Sequence, residues 1–252
     1  AWRESRAKKF AKIFDEIFVL FEFEKKYFTK YKLKTTFIGH PIYYINKNNF
    51  NYSPNNFTIA FLPGSRLSEV NKLLPYFKLA YEYLIIHFKN SNIFIPTLPH
   101  LEDKINEFVK NWKLNVIVSS DNKEIEKNYN YISKALVCSG TASLEIAKRN
   151  IPQLVIYKLN LITELIAKNF VKVKYASIIN IIEDKYIIPE VTNSKLNNKT
   201  FINAFKKLMH NNDANINQIK GVNLSLHKIQ NNTPPYSLAA RQITSYIISK
   251  AN

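Results

Sequence analysis

The sequence predicts an α/β fold, a mostly parallel sheet with helices on both faces. Three observations carry that prediction. Short apolar runs alternate with segments of helical periodicity along most of the chain. The runs are apolar at successive positions, as in strands buried on both faces. Hydrophobic residues make up 46% of the 252 residues, enough for a substantial core.

In chain order the strand-like runs are EIFVLF (16–21), TTFI (35–38), FTIAFL (57–62), NIFIP (92–96), NVIV (115–118), KALVC (134–138) and QLVIY (153–157). The clearest helix between them places Val70, Leu73, Leu74, Phe77, Ala80, Tyr81, Leu84, Ile85 and Phe88 on one face. Pro75 falls inside it and predicts a break, with a short turn of helix first and a longer helix beginning at Pro75. The Asn-rich stretch YYINKNNFNYSPNNF (43–57) reads as a linker. The expected organisation is therefore a front piece over 1–42, a linker over 43–56, a second α/β unit over 57–190 and a helical segment over 191–252. That last segment completes or bridges the two units, with the loop HKIQNNTPPYS ahead of a final helix over 237–250. The front piece has only two strands and reads as the tail of a domain whose beginning lies outside the sequence.

Composition excludes several classes. No run of about 18 apolar residues occurs, which excludes a membrane-spanning helix. The single cysteine, Cys138, excludes an internal disulfide and a cysteine-based metal site and fits a reducing compartment. There is no Cys/His cluster, P-loop lysine or G-x-S-x-G elbow, and no metal or cofactor is expected. The formal charge of +17 suits an anionic surface. Abundant Lys, Asn, Ile and Tyr beside only four glycines points to a coding bias, and the aromatics fall at core-like positions. Nucleic acid, which calls for exposed aromatics along a basic stripe, is not expected as a partner.

Four segments carry candidate chemistry. In LPGSR (62–66) a strand ends at a glycine turn that opens a helix; Gly64 permits close backbone approach, Ser65 follows, and Arg66 offers a planar cationic fork. The plain reading, a βα turn with a surface arginine, stands beside it. In SGTASLE (139–145) the small residues Ser139, Gly140, Thr141 and Ala142 leave room over helix amides, and Glu145 is placed to accept from ribose hydroxyls. The alternative is Thr141 as a helix cap and Glu145 as a dipole partner. In KYASIINIIEDKYIIPE (174–190) Asn180 sits among isoleucines and either bonds local backbone or reaches a ligand, while Glu190 reads as a solvated loop acid. In FIGHPI (37–42) His40 reads as a catalytic group or a hinge residue, while a single histidine with no acid partner nearby in the sequence is more often structural.

In order along the chain, AWRESRAKKFAKIFDEIFVLFEFEKKYFTKYKLKTTFIGHP, LPGSRLSEV, SGTASLEIAKRNIPQLVIYK and VKVKYASIINIIEDKYIIPE resemble the lipid-A-disaccharide synthase family of GT-B glycosyltransferases. The resemblance implies a Rossmann-like donor-binding lobe preceded by the tail of an acceptor lobe. It implies transfer of 2,3-diacylglucosamine from UDP-2,3-diacylglucosamine to 2,3-diacylglucosamine 1-phosphate, with inversion and without metal. It implies that Arg66 is catalytic and neutralises the departing diphosphate, that Gly64, Ser65, Glu69, Ser139, Gly140, Thr141, Ala142, Glu145, Tyr157 and Asn180 hold UDP, and that Gly39, His40 and Pro41 mark the hinge. The implied setting is the cytoplasmic surface of a Gram-negative inner membrane, with LNLITELIAKNFVKVKY (159–175) the candidate lipid-facing stretch, although a core-packed helix with a solvated edge explains it more simply. On the order of 100 residues, about one domain, is expected in front, including the family's general base, to which no residue here corresponds. A degenerate UDP-binding remnant and another UDP-sugar enzyme such as an epimerase are the alternative readings. Oligomeric state is left open.

Overall fold

A computed structural model describes residues 4–45, 47, 57–158 and 174–251. Most of the Asn-rich stretch and nearly all of the candidate lipid-facing stretch lie outside the described residues. The chain packs as two compact units, one made of residues 1–45 with 224–252 and the other of 46–223.

In the first unit, β1 (Glu16–Val19) and β2 (Lys34–Phe37) pair in parallel, with Glu16 opposite Lys34 and Val19 opposite Phe37. Helices α1 (Glu4–Phe10) and α2 (Lys25–Thr29) accompany them, and Ala7, Val19, Phe28 and Leu33 form a small core. After β2 the chain turns at Gly39, whose φ of +81° favours glycine and whose absent Cβ would stand 3.2 Å from the Ile229 carbonyl and from Asn231. The His40 amide donates to that Ile229 carbonyl at 2.9 Å. Its ring Nδ1 accepts from the Ile42 amide at 3.0 Å, capping the short 3₁₀ turn Pro41–Tyr44. His40 is thus a buried capping residue.

The second unit is a six-stranded parallel sheet ordered β5-β4-β3-β6-β7-β8. Its strands are β3 (Thr58–Leu62), β4 (Asn92–Pro96), β5 (Asn115–Ser119), β6 (Ile132–Cys138), β7 (Gln153–Tyr157) and β8 (Glu190–Thr192). The apolar runs become strands because both faces are covered. Ile59 and Phe61 of β3 pack under α3 (Leu67–His87), α4 (Pro99–Val109) and α8 (Asn198–His210), with Phe201 and Phe205 of α8 fully buried there. Ala60 and Leu62 face the other way, against Tyr129 of α5 (Asn122–Tyr129) and Ile146 of α6 (Thr141–Lys148). The short α7 (Ile178–Glu183) precedes β8 and α9 (Asn212–Leu226) follows α8, while α10 (Pro235–Ala251) belongs to the first unit. No described helix is long and apolar enough to cross a membrane.

Two expectations are corrected here. The helix over 67–87 is continuous through Pro75. Pro75 is exposed while Leu73, Leu74, Tyr76 and Phe77 around it are buried. The apolar face therefore holds the helix together across one missing backbone hydrogen bond. The sheet also gains β8, whose three residues are too short to show a period.

Pro75→Ala restores that hydrogen bond without touching the core, and we expect a gain of about 1–2 kcal/mol in urea denaturation, the helix term exceeding the lost chain restriction. Burial lowers the His40 pKa below its ordinary 6.5. Because the unfolded chain takes up that proton more readily, the contribution is fully present above pH 6.5 and is lost as pH falls through the lowered value. His40→Asn keeps a side-chain acceptor at the cap and cannot titrate. Denaturation followed from about pH 7.5 to pH 5 is expected to show the unchanged protein losing stability relative to this variant.

Candidate functional site

Strand order decides where a cleft opens. From β3 the chain builds outward through β4 to β5, then returns to lay β6 on the other side of β3. Connections leave β3 and β6 in opposite directions, and such a switch point leaves a crevice beyond the carboxyl ends of the two strands. Leu62 is opposite Val137, which brings the turn Pro63-Gly64-Ser65-Arg66 beside the turn Cys138-Ser139-Gly140. A cleft of about 420 Å³ lies there.

Both turns use a glycine in a conformation that other residues avoid. Gly64 has φ +115°, and a Cβ on it would meet Cys138 Sγ at 3.2 Å and Glu69 Oε2 at 3.3 Å. Gly140 has φ +141°, and a Cβ there would meet nothing within 4 Å. The first glycine is required by close packing and the second only by backbone conformation, leaving open space above it. Each turn then starts a helix without a side-chain cap: Arg66 is the N-cap of α3 and Gly140 that of α6. In the same unit Asp121 caps α5 and Asn197 caps α8 through their side chains. The uncapped ends carry partial positive charge and free amide donors, the usual basis of anion binding.

Of the residues singled out from the sequence, Gly64, Ser65, Glu69, Ser139, Gly140, Thr141, Ala142 and Glu145 line this one cleft. Arg66 stands outside it with its side chain 75% exposed, its guanidinium donating to Glu69 Oε1 at 2.8 Å. Tyr157 ends β7 and does not line the cleft; burial, then the Glu69 carboxylate, raises its phenol pKa. Asn180 is the clear departure. It is fully buried, donates to the Ile188 carbonyl at 2.8 Å and to Glu190, and accepts from the Ile187 and Ile188 amides. Its amide is spent on local backbone, the alternative the sequence had left open. Gly39, His40 and Pro41 belong to the other unit.

Sequence reasoning missed the far wall, formed by Pro96 at the end of β4, by Thr97 and Leu98 after it, and by Ile125, Glu126 and Tyr129 of α5. The available signal was positional, since these too lie at the carboxyl end of the sheet. Arg149, 3% exposed, lies beneath this wall over the Tyr129 ring at 4.1 Å. It donates to Glu126 at 2.6 Å and to Glu145 at 3.1 Å. Each lining carboxylate thus has a guanidinium partner. Burial raises the Cys138 thiol to about 12, with the Glu69 carboxylate adding to the shift. The thiol therefore remains protonated and makes an inert wall.

Sheet, helices and cleft place the molecule in the GT-B class of α/β folds. Among solved structures it resembles MnaA of S. aureus in a co-structure with UDP, with a TM-score of 0.60 at 14% identity over 94% of this chain and 62% of that one. It also resembles TarM, with a TM-score of 0.57 at 12% identity over 96% of this chain and 45% of that one. At such identities the likeness shows the fold alone. Residues 1–243 match the family model of lipid-A-disaccharide synthetase, and the chain belongs to that family. It is 34% identical over 259 residues to the lipid-A-disaccharide synthase of Rickettsia canadensis and 28% identical over 260 residues to that of Rhodospirillum centenum. Each alignment takes in 99% of this chain, and the chain spans 65% of the length of each relative.

Alanine at either glycine is expected to cost about 1–3 kcal/mol of stability through backbone strain. Gly64→Ala should cost more than Gly140→Ala, because only Gly64 adds contacts at 3.2–3.3 Å. Urea denaturation of the two variants side by side checks the order.

Proposed function

We propose that the cleft holds the UDP portion of a UDP-sugar and that the chain is the donor-binding part of a lipid-A-disaccharide synthase. The reaction proposed for the whole protein moves 2,3-diacylglucosamine from UDP-2,3-diacylglucosamine to 2,3-diacylglucosamine 1-phosphate, with UDP leaving. One observation carries the reading: two neighbouring strands end in left-handed glycine turns, and both turns open helices that lack a side-chain cap. Family membership supports the choice of substrates.

In this reading the diphosphate lies against the Gly140–Ala142 amides, where Gly140 leaves open space and the α6 dipole favours negative charge. Glu145, lining the same cleft one turn further along α6, receives the ribose hydroxyls with the carboxylate edge that Arg149 does not occupy. Ser65 and Gly64 close the opposite side, and Tyr157 and Glu69 flank Arg66. The sugar–phosphate bond breaks as negative charge builds on UDP. Fixed amides and a mobile guanidinium lower the barrier by stabilising that charge more than the ground state. Arg66 is the guanidinium, paired with Glu69 and exposed enough to swing onto the diphosphate. Its fork suits two phosphate oxygens at once. The acceptor's hydroxyl needs a base, and no residue of this chain is assigned to it. The diacylated substrates place the protein at an anionic membrane surface, which its charge of +17 favours, on the cytoplasmic side of the inner membrane.

Calorimetric titration of UDP into the purified chain tests the proposal. Saturable binding is expected, and Arg66→Ala should weaken it about 10- to 100-fold, the range for a lost charge-assisted hydrogen bond to phosphate. A folded protein that takes up no UDP, or an Arg66→Ala variant that binds as tightly as the original, contradicts it.

A further inference from the structure

Beside the cleft lies a polar assembly that the proposed reaction does not use. Glu190, the first residue of β8, turns its carboxylate onto the segment ahead of α7. The Ala176 amide donates to both of its oxygens, at 3.0 and 3.1 Å. The Ser177 amide donates at 2.9 Å, and Asn180 Nδ2 at 3.2 Å. Asn180 closes the other end of the loop by accepting from the Ile187 and Ile188 amides at 2.8 and 2.9 Å. Residues 176 to 180 are therefore fastened to β8 through one carboxylate and one buried amide. Glu190 is not the solvated loop acid that its place after Pro189 suggests.

One hydrogen bond ties the fastened segment to the cleft lining, beside the packing of α7 against α6. The Ala176 carbonyl accepts the Ser139 hydroxyl at 2.7 Å. A hydroxyl carries one proton, so in this arrangement Ser139 donates to Ala176 and has no proton left for a phosphate oxygen. Its part in the site is then to hold the loop whose next three residues present the helix amides.

We infer that Glu190 is a positioning residue of the donor site, acting through the Ala176 carbonyl and Ser139 on the Gly140–Ala142 amides. The inference rests on the UDP reading above. The chemistry of the carboxylate is specific to the task, because its neighbours here are all donors, two amide N–H groups and one carboxamide N–H. A carboxylate is acceptor-only and satisfies all three, whereas glutamine of the same shape offers one acceptor and turns an NH₂ toward other donors. Displacing residues 176 and 177 moves the carbonyl that holds Ser139. The Ser139 amide also donates to the Ile156 carbonyl at 3.2 Å, so the hydroxyl bond to Ala176 is a second anchor for the start of this turn.

The test is a double-substitution cycle read by UDP affinity and thermal unfolding together. Glu190→Gln is expected to weaken UDP binding about tenfold, near the value of one charge-assisted hydrogen bond. Ser139→Ala is expected to weaken it by a similar factor. The double variant should then be little worse than either single one, because both break the same connection. Glu190→Asp, which keeps the charge on a shorter stem, should recover part of the affinity, and it carries the test if Glu190→Gln does not fold. A role confined to stability would lower the unfolding temperature and leave the UDP dissociation constant within about twofold, or give effects that simply add; either result overturns the inference while the donor-site reading stands. Failure of the unsubstituted protein to bind UDP removes that reading itself and this inference with it.

Discussion

The rest of the site depends on the pairing of β3 with β6. Because Leu62 lies opposite Val137, two turns far apart in sequence, one at Gly64 and one at Gly140, share one edge of the sheet. A slip of one residue in either strand would reverse which side chains face α3 and which face α6. Ile59 and Phe61 would then lose their place under the larger helical layer, and Ala60 would be set where a phenylalanine now fills the core. Core packing therefore fixes the register, and the register brings the two uncapped helix ends together.

Charge is arranged to suit this. The cleft carries three carboxylates, from Glu69, Glu126 and Glu145, an unpromising lining for an anion. Each is matched: Arg66 covers Glu69, and the buried Arg149 covers Glu126 and Glu145. The two arginines differ in freedom. Arg149 is enclosed and stacked on Tyr129, so it is a fixed counter-charge, while Arg66 is exposed and able to change partners. In the Arg66–Glu69 pair the guanidinium end is 75% exposed and the carboxylate end 16% exposed, so the arginine is the partner with room to move while Glu69 stays in the wall.

Much of this was legible in the sequence, for physical reasons that differ residue by residue. Apolar runs of four or more residues marked the long strands because a strand buried on both faces has no polar alternation to obscure it. Gly64 and Gly140 stood out because glycine is scarce in this chain and each follows a strand. Asn180 and Glu190 were harder. Both are conspicuous in the sequence, but their hydrogen-bond partners depend on how residues 174–190 fold back on themselves, which a linear pattern does not encode. Pro75 misled because its local effect on a helix is certain, while the burial of Leu73, Leu74, Tyr76 and Phe77 that outweighs it is tertiary. The wall from Leu98 to Tyr129 was invisible because its residues carry no motif and are brought in only by strand order.

The central claim is that the two glycine turns form one binding site for a nucleoside diphosphate. Amide hydrogen exchange, measured with and without saturating UDP, tests it most directly. The account predicts slowed exchange concentrated at residues 64–66 and 139–143, in both turns together. Protection at only one turn, or protection elsewhere in the chain with both turns unchanged, would contradict it.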